Sequence, residues 1–272
     1  MYRLQNLHTH TTYVDGKDSA EELVIEAMNR GFESIGFSEH SDVAFSSFPK
    51  QLTNERAAEY RCEIRELRRR YADRIGIFCG LEYDFYSDMP KDDYDYVIGS
   101  VHYLECDSGV YTFDCRLDEA RDFISTRFGG NAIAFTEKYF ETVARLPERG
   151  RFDIIGHFDL VSKNNAKGGF FDESSREYLS YGCEAIRALR GKIPLFEVNT
   201  GAIARGYRMS PYPAPAFLAE FKRCGFGAVI SSDCHDKQYL DCNFEDACEL
   251  LRSVGFRSRW VLTDGGFEEV EV

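Results

Sequence analysis

The chain has 272 residues, 43% hydrophobic and 29% charged, a globular composition long enough for one large α/β barrel or two small domains. A formal net charge of −13 excludes the basic face on which nucleic-acid binders depend, and no apolar run approaches the roughly 20 residues needed to cross a bilayer. Nine scattered cysteines without paired spacing, behind opening residues that lack a basic-then-apolar signal pattern, read as reduced thiols of a cytoplasmic protein.

Leu4–His8 is expected as a first strand. Ser19 can cap a helix running to Asn29, with Glu21 and Glu22 in its first turn and Gly31 past its end. A strand at Ser34–Ser38 precedes a charged helix at Asn54–Tyr71, whose inner stripe is Ala57, Tyr60, Ile64 and Leu67. Strands at Ile75–Phe85 and Tyr94–Val101 lead to an acidic stretch, Tyr103–Cys115, to which no element can be assigned. Helices are predicted at Leu117–Phe128 and Ile133–Leu146.

The second half repeats the rhythm, with strands at Phe152–His157, Leu195–Asn199 and Ala228–Ser232 and helices at Glu173–Leu189, Pro213–Cys224 and Phe244–Ser253. Trp260–Thr263 is expected as a closing strand. Seven or eight β/α units with no Ser- or Gly-rich linker predict a single barrel domain over residues 1–272.

Against that framework the six histidines share one level. His8 and His10 close the first strand and His40 follows the second, while His102, His157 and His235 each stand at a later strand end. The carboxylates Asp15, Glu82 and Asp233 stand at the same level, and Glu39 precedes His40. Alternation along a strand turns His8 and His10 to one side, as it does Asp233 and His235, and leaves Cys234 facing away into packing. In a parallel barrel the strand ends form the face that carries chemistry. Imidazole nitrogens with carboxylate oxygens suit zinc, manganese or iron.

Asn6-Leu7-His8-Thr9-His10-Thr11 with Asp15 resembles the opening of the PHP (polymerase and histidinol phosphatase) family. Gly36-Phe37-Ser38-Glu39-His40, Gly80-Leu81-Glu82, Gly99-Ser100-Val101-His102, Gly156-His157-Phe158-Asp159-Leu160 and Ser232-Asp233-Cys234-His235 continue the likeness in the family's order. Tyr94 through Tyr103, and Glu197-Val198-Asn199-Thr200-Gly201 with Arg205, resemble the monofunctional histidinol-phosphatase type.

The resemblance implies a distorted (β/α)7 TIM-like barrel holding two or three divalent cations. A first would be held by His8, His10, Glu82 and Asp233. A second would take bridging Glu82 with His102 and His157, and a third Asp15, His40 and His235. It implies hydrolysis of a small phosphomonoester, L-histidinol phosphate in histidine biosynthesis, by metal-activated hydroxide, with Glu82, Asp233 and His235 as catalytic ligands. Another small phosphate or a nucleotide is the alternative substrate.

Arg205 is expected at the phosphate together with Lys163, which stands where relatives often show Arg beside Lys. Glu197 and Asn199 alternate at a strand end and are expected to meet the substrate amine or imidazole, while Glu39 is expected to support His40. The implied partner is a small phosphorylated metabolite, with no nucleic acid or membrane, in a monomer or small homo-oligomer.

Overall fold

The computed structural model describes residues 3–45, 52–107 and 109–272. Its strands are β1 (Gln5–Asn6), β2 (Ser34–His40), β3 (Gly76–Asp84), β4 (Tyr96–Ser100), β5 (Tyr103–Cys106), β6 (Gly109–Thr112), β7 (Ile154–Ile155), β8 (Leu195–Asn199), β9 (Gly227–Ser231), β10 (Ser258–Thr263) and β11 (Gly266–Glu271). Seven of them form one sheet in the order β1-β2-β3-β4-β7-β8-β9, parallel throughout. Thr9 bridges to Cys234, and hydrogen bonds from His10 N to Cys234 O (2.8 Å) and from Cys234 N to His8 O (3.0 Å) join the two outer edges. The sheet is therefore a nearly closed seven-stranded barrel, as expected.

Local chemistry sets the outer helices. Ser19 and Glu22 form a capping box at the start of Ala20–Asn29. Asn54–Arg70 buries Ala57, Tyr60, Ile64 and Leu67 against the sheet, the stripe that its periodicity predicts. Gly129, Gly225 and Gly255 end their helices in the left-handed conformation that glycine adopts without strain.

Inside the barrel, Leu7, Phe78, Tyr96, Ile98, Ile154, Leu195 and Val229 fill the half near the amino ends of the strands. Tyr96 crosses this core, its hydroxyl donating to the carbonyls of Leu7 and Phe37. A Cβ at Gly36 or Gly80 would collide with that ring, so both strands carry glycine where they pass it.

One sequence expectation is corrected, and one unassigned stretch is filled. Trp260–Thr263 does not close the barrel, because β9 already meets β1. β10 instead folds back on β11 as an antiparallel hairpin. Leu262 exchanges hydrogen bonds with the Gln5 side chain (2.7 and 2.8 Å), and Trp260 and Phe267 pack under the inner core. The unassigned stretch after His102 forms the hairpin β5–β6, whose strands of four residues each are too short for a clear alternation.

All nine cysteines are unpaired, and Cys234 is buried in packing as expected. No helix among the described residues is long and apolar enough to cross a membrane.

Candidate metal centre

The nine side chains singled out in the sequence converge above the apolar half of the barrel. His8 and His10, two residues apart, both turn inward with ring centroids 5.1 Å apart and are fully buried. The chain then folds back, with Val14 and Gly16 donating to Thr11 O (3.2 and 2.9 Å), which swings Asp15 over the barrel mouth. A side chain at Gly16 would overlap the His10 carbonyl, so this turn requires glycine.

Glu82, at the end of β3, is the hub. Its Oε1 lies 2.8 Å from His157 Nε2 and 3.3 Å from His102 Nε2. Its Oε2 lies 2.7 Å from His40 Nδ1, 3.2 Å from His8 Nε2 and 3.5 Å from His10 Nε2. Asp233 Oδ1 stands 3.3 Å from His10 Nε2, 3.7 Å from His8 Nε2 and 3.5 Å from His235 Nδ1. Asp233 has φ 47°, a left-handed backbone that costs a non-glycine residue strain and that recurs at functional sites. Asp15 Oδ2 completes the rim, 3.2 Å from His235 Nε2 and 3.6 Å from His40 Nε2.

Three overlapping sets of these groups have donor atoms close enough to share a cation: His10, Asp15, His40 and His235; His8, His10 and Asp233; and His40, Glu82 and His102. His8 Nε2 and His10 Nε2 are buried with no hydrogen-bond partner. A buried polar atom without a partner costs about 1–3 kcal/mol, which a cation would offset. Soft-to-borderline nitrogen donors beside carboxylates are a suitable donor set, so the residues fit a divalent cation cluster.

A second layer of hydrogen bonds orients these side chains. Glu197 accepts from His157 N (2.6 Å), Asn199 Nδ2 (2.8 Å) and Ser231 Oγ (2.5 Å), and its Oε2 lies 2.9 Å from His8 Nδ1. That arrangement pins the far ring nitrogen of His8 and leaves Nε2 to face the centre. Asp84 does the same for His102, accepting from its backbone N–H at 2.8 Å with Nδ1 at 3.2 Å. Arg205 donates to Asp233 O (2.8 Å) and to Asp233 Oδ2 (2.7 Å), clamping that carboxylate.

Two roles expected from sequence are thereby corrected. Glu197 and Asn199 lie fully buried behind His8 and His157, bonded to each other and to the backbone, and neither reaches the cavity. Alternation put them on the inner face, but depth along the barrel is not written in alternation. Glu39 does not support His40. Its Oε1 accepts from Thr11 N (2.7 Å) and Thr11 Oγ1 (2.6 Å), and Oε2 is 3.9 Å from His10 Nδ1, because neighbouring strand residues point to opposite sides.

The electrostatics follow from burying many charges together. Burial opposes ionisation of Glu82, but His40, His8 and His102 hold its carboxyl well below the usual range. Asp233 is likewise depressed against burial, by Arg205 and His8. Burial pulls His102 down, yet Glu82 and Asp84 raise it to about 9. His10 goes the other way, lowered to about 3 by burial and by the charges of His235 and His40. Glu39 is pushed up to about 8, chiefly by burial.

A cavity of about 320 Å³ opens above the cluster, lined by every one of the nine except His8 and His10. Arg205 and Lys163 also line it, as do Asp114, Tyr207 and Tyr212. Lys163 is ion-paired with Asp114, and its ammonium sits 4.7 Å from the Tyr207 ring centroid. Asp84, Asp114 and Tyr212 were not singled out in the sequence. Asp84 was within reach of the alternation argument, two residues after Glu82. Asp114 and Tyr212 reach the site from loops, for which no periodicity speaks.

Comparison with known families decides the ancestry: the sequence model of the PHP domain matches residues 6–200. The chain belongs to the PHP domain family. Asp233 and His235 lie beyond the matched stretch, and the barrel brings them to the PHP cluster. A probable histidinol-phosphatase of Deinococcus radiodurans is 28% identical over 271 residues, covering 95% of this chain and 96% of that one. The histidinol-phosphatase of Bacillus subtilis is 27% identical over 256 residues, covering 84% and 92%. Among solved structures, the histidinol phosphate phosphatase of Lactococcus lactis, complexed with zinc, L-histidinol and phosphate, superposes with a TM-score of 0.70 at 22% identity. It covers 97% of this chain and 98% of its own.

Proposed function

We propose that this chain is a metal-dependent phosphomonoesterase that hydrolyses L-histidinol phosphate to L-histidinol and inorganic phosphate. The observation that carries this reading is the convergence of six imidazoles and three carboxylates under one cavity, with His8 Nε2 and His10 Nε2 buried and unpartnered. The full-length likeness to proteins named histidinol-phosphatases supports the substrate.

His8, His10, Glu82 and Asp233 would hold one cation, Glu82 with His102 and His157 a second, and Asp15, His40 and His235 a third, with zinc, manganese and iron all compatible with the donors. Bound there, divalent cations lower the pKa of an attacking water and neutralise charge on the phosphoryl oxygens.

The chain's own residues do the rest. Glu82, whose two oxygens face different histidines, ties the sets together. Arg205 spends two N–H groups on Asp233 and keeps others for phosphoryl oxygens, so one side chain orients both the ligand and the substrate. Lys163 adds a point charge that Asp114 partly offsets. The Glu197 and Asp84 carboxylates hold His8 and His102 in the tautomers that present Nε2 to the centre.

Phosphate release from L-histidinol phosphate, set against sugar phosphates and nucleotides, tests the reading together with elemental analysis of the purified protein. The expected result is a preference for histidinol phosphate that disappears with a chelator. A preference for a nucleotide would remove the substrate assignment. Absence of any bound cation, with activity indifferent to chelation, would remove the whole reading.

A further inference from the structure

Hydrolysis of an amino-alcohol phosphate poses two opposite electrostatic demands. The phosphate dianion needs positive charge, and an ammonium on the leaving alcohol needs an anion on the wall of the same cavity. With Glu197 and Asn199 out of reach, that anion must be sought among the five carboxylates that do line it: Asp15, Glu82, Asp84, Asp114 and Asp233. Asp15, Glu82 and Asp233 face the imidazole cluster. Asp84 is consumed by the backbone and ring of His102 through Oδ2 and by Tyr86 N through Oδ1 (2.8 Å).

Asp114 remains. Its Oδ1 meets Lys163 Nζ, and the second oxygen has no hydrogen bond among the described residues. Burial works against its charge, but Lys163, His102 and His157 lower it to about 2. A second feature of the same cavity points to a ligand independently. The Tyr212 hydroxyl, on a side chain only 1% exposed, has no partner. An unfilled buried hydroxyl and a half-used carboxylate on residues that line one cavity offer a recognition surface for a polar, cationic group.

We propose that Asp114, together with Tyr212, which lines the same cavity, recognises the ammonium group of the leaving alcohol and so restricts the enzyme to phosphomonoesters of amino alcohols. This rests on the phosphomonoesterase reading above and deepens it. Lys163 shares the Asp114 carboxylate with the incoming ammonium, and the positive charge it regains is directed to the phosphate end. Asp114 is a specificity residue that touches the part of the substrate where no bond breaks.

The test compares kcat/KM for L-histidinol phosphate and for 3-(imidazol-4-yl)propyl phosphate, which lacks only the amine, using the metal-loaded enzyme. Wild type is expected to favour the amine. Asp114→Asn is expected to cut that ratio roughly 10- to 100-fold, the scale of a hydrogen bond to a charged group. Calorimetric affinity for the product L-histidinol should weaken in parallel. Lys163→Met should lower turnover of both phosphates but keep or raise the ratio, because the carboxylate loses its competitor.

If the Asp114–Lys163 pair were only a strut, the two variants would move the ratio alike, which would overturn the inference, as would a ratio within twofold of wild type in Asp114→Asn. Should Asp114→Asn fail to fold, Asp114→Glu reads the same ratio with the charge retained, and an intermediate value is expected. A ratio equal to wild type there, with histidinol affinity unchanged, would count against the carboxylate's placement. A wild type that releases phosphate from neither compound would instead fail the histidinol-phosphate reading on which this inference rests.

Discussion

The two ends of the barrel are built on opposite principles. Near the amino ends of the strands, Leu7, Phe78, Ile98, Ile154, Leu195 and Val229 pack around Tyr96, whose hydroxyl is satisfied, and the β10–β11 hairpin seals the opening. Near the carboxyl ends, charged and polar groups are just as deeply buried, yet His8 Nε2 and both ring nitrogens of His10 make no hydrogen bond and Asp233 holds a strained backbone. One end contributes stability. The other spends it on a cluster that is complete only when cations are bound.

The sharpest way to break that comparison is to remove the hub. Glu82→Gln keeps the shape but deletes the charge that five imidazoles face, and kcat/KM for the phosphate should fall about a hundred- to a thousandfold. Metal content should fall with it, while the metal-free protein still melts cooperatively. A variant with full activity and full metal content would show that Glu82 is not the hub.

The apolar end should answer in reverse. Leu195→Ala removes a buried side chain, 3% exposed, from the inner core and is expected to cost about 2–5 kcal/mol in denaturant unfolding. The folded, metal-loaded fraction should keep its kcat/KM. Loss of activity beyond the loss of folded protein would mean that the two ends are mechanically coupled.

How much of this was legible in the sequence follows the same division. All nine candidate ligands could be named because strand-end position and side-chain chemistry are both local properties, and the barrel gathers every one of them. What could not be read was which long-range partner each group chooses. Glu197 shares a face with the cavity but lies one layer too deep, and Glu39 turns to Thr11 and His10, away from His40. The loop after the hairpin β5–β6 and the segment bearing Tyr212 carry no period, so Asp114 and Tyr212 stayed silent. Trp260–Thr263 does form a strand, and only the meeting of β1 with β9 denies it a place in the barrel.

A milder variant probes that second layer. Glu197→Gln keeps a polar side chain but weakens the acceptor that pins His8 Nδ1, and cation affinity should drop about 10- to 100-fold. Preference among substrates should hold, since Glu197 does not line the cavity. A changed preference with unchanged cation affinity would restore it to the substrate side.

The smallest effect, and the one that sets the two ends against each other most directly, is in pH. Without cations His102 keeps its proton up to about pH 9, against 6.5 for a free imidazole, because the carboxylates of Glu82 and Asp84 outweigh its burial. A group whose pKa is raised on folding stabilises the fold fully below 6.5 and loses that contribution as pH climbs through 9. Coordination demands the opposite, a neutral ring, so loading near pH 7 must expel the proton and cation affinity must rise over the same interval. His8 and His40, also raised despite burial, reinforce the trend. Metal-free protein should therefore melt progressively lower between pH 6.5 and 9, while the gap between loaded and metal-free melting temperatures widens. Leu195→Ala should shift both curves together and leave the gap intact. A gap that stays constant across that interval would mean the imidazoles are already neutral before the cations arrive.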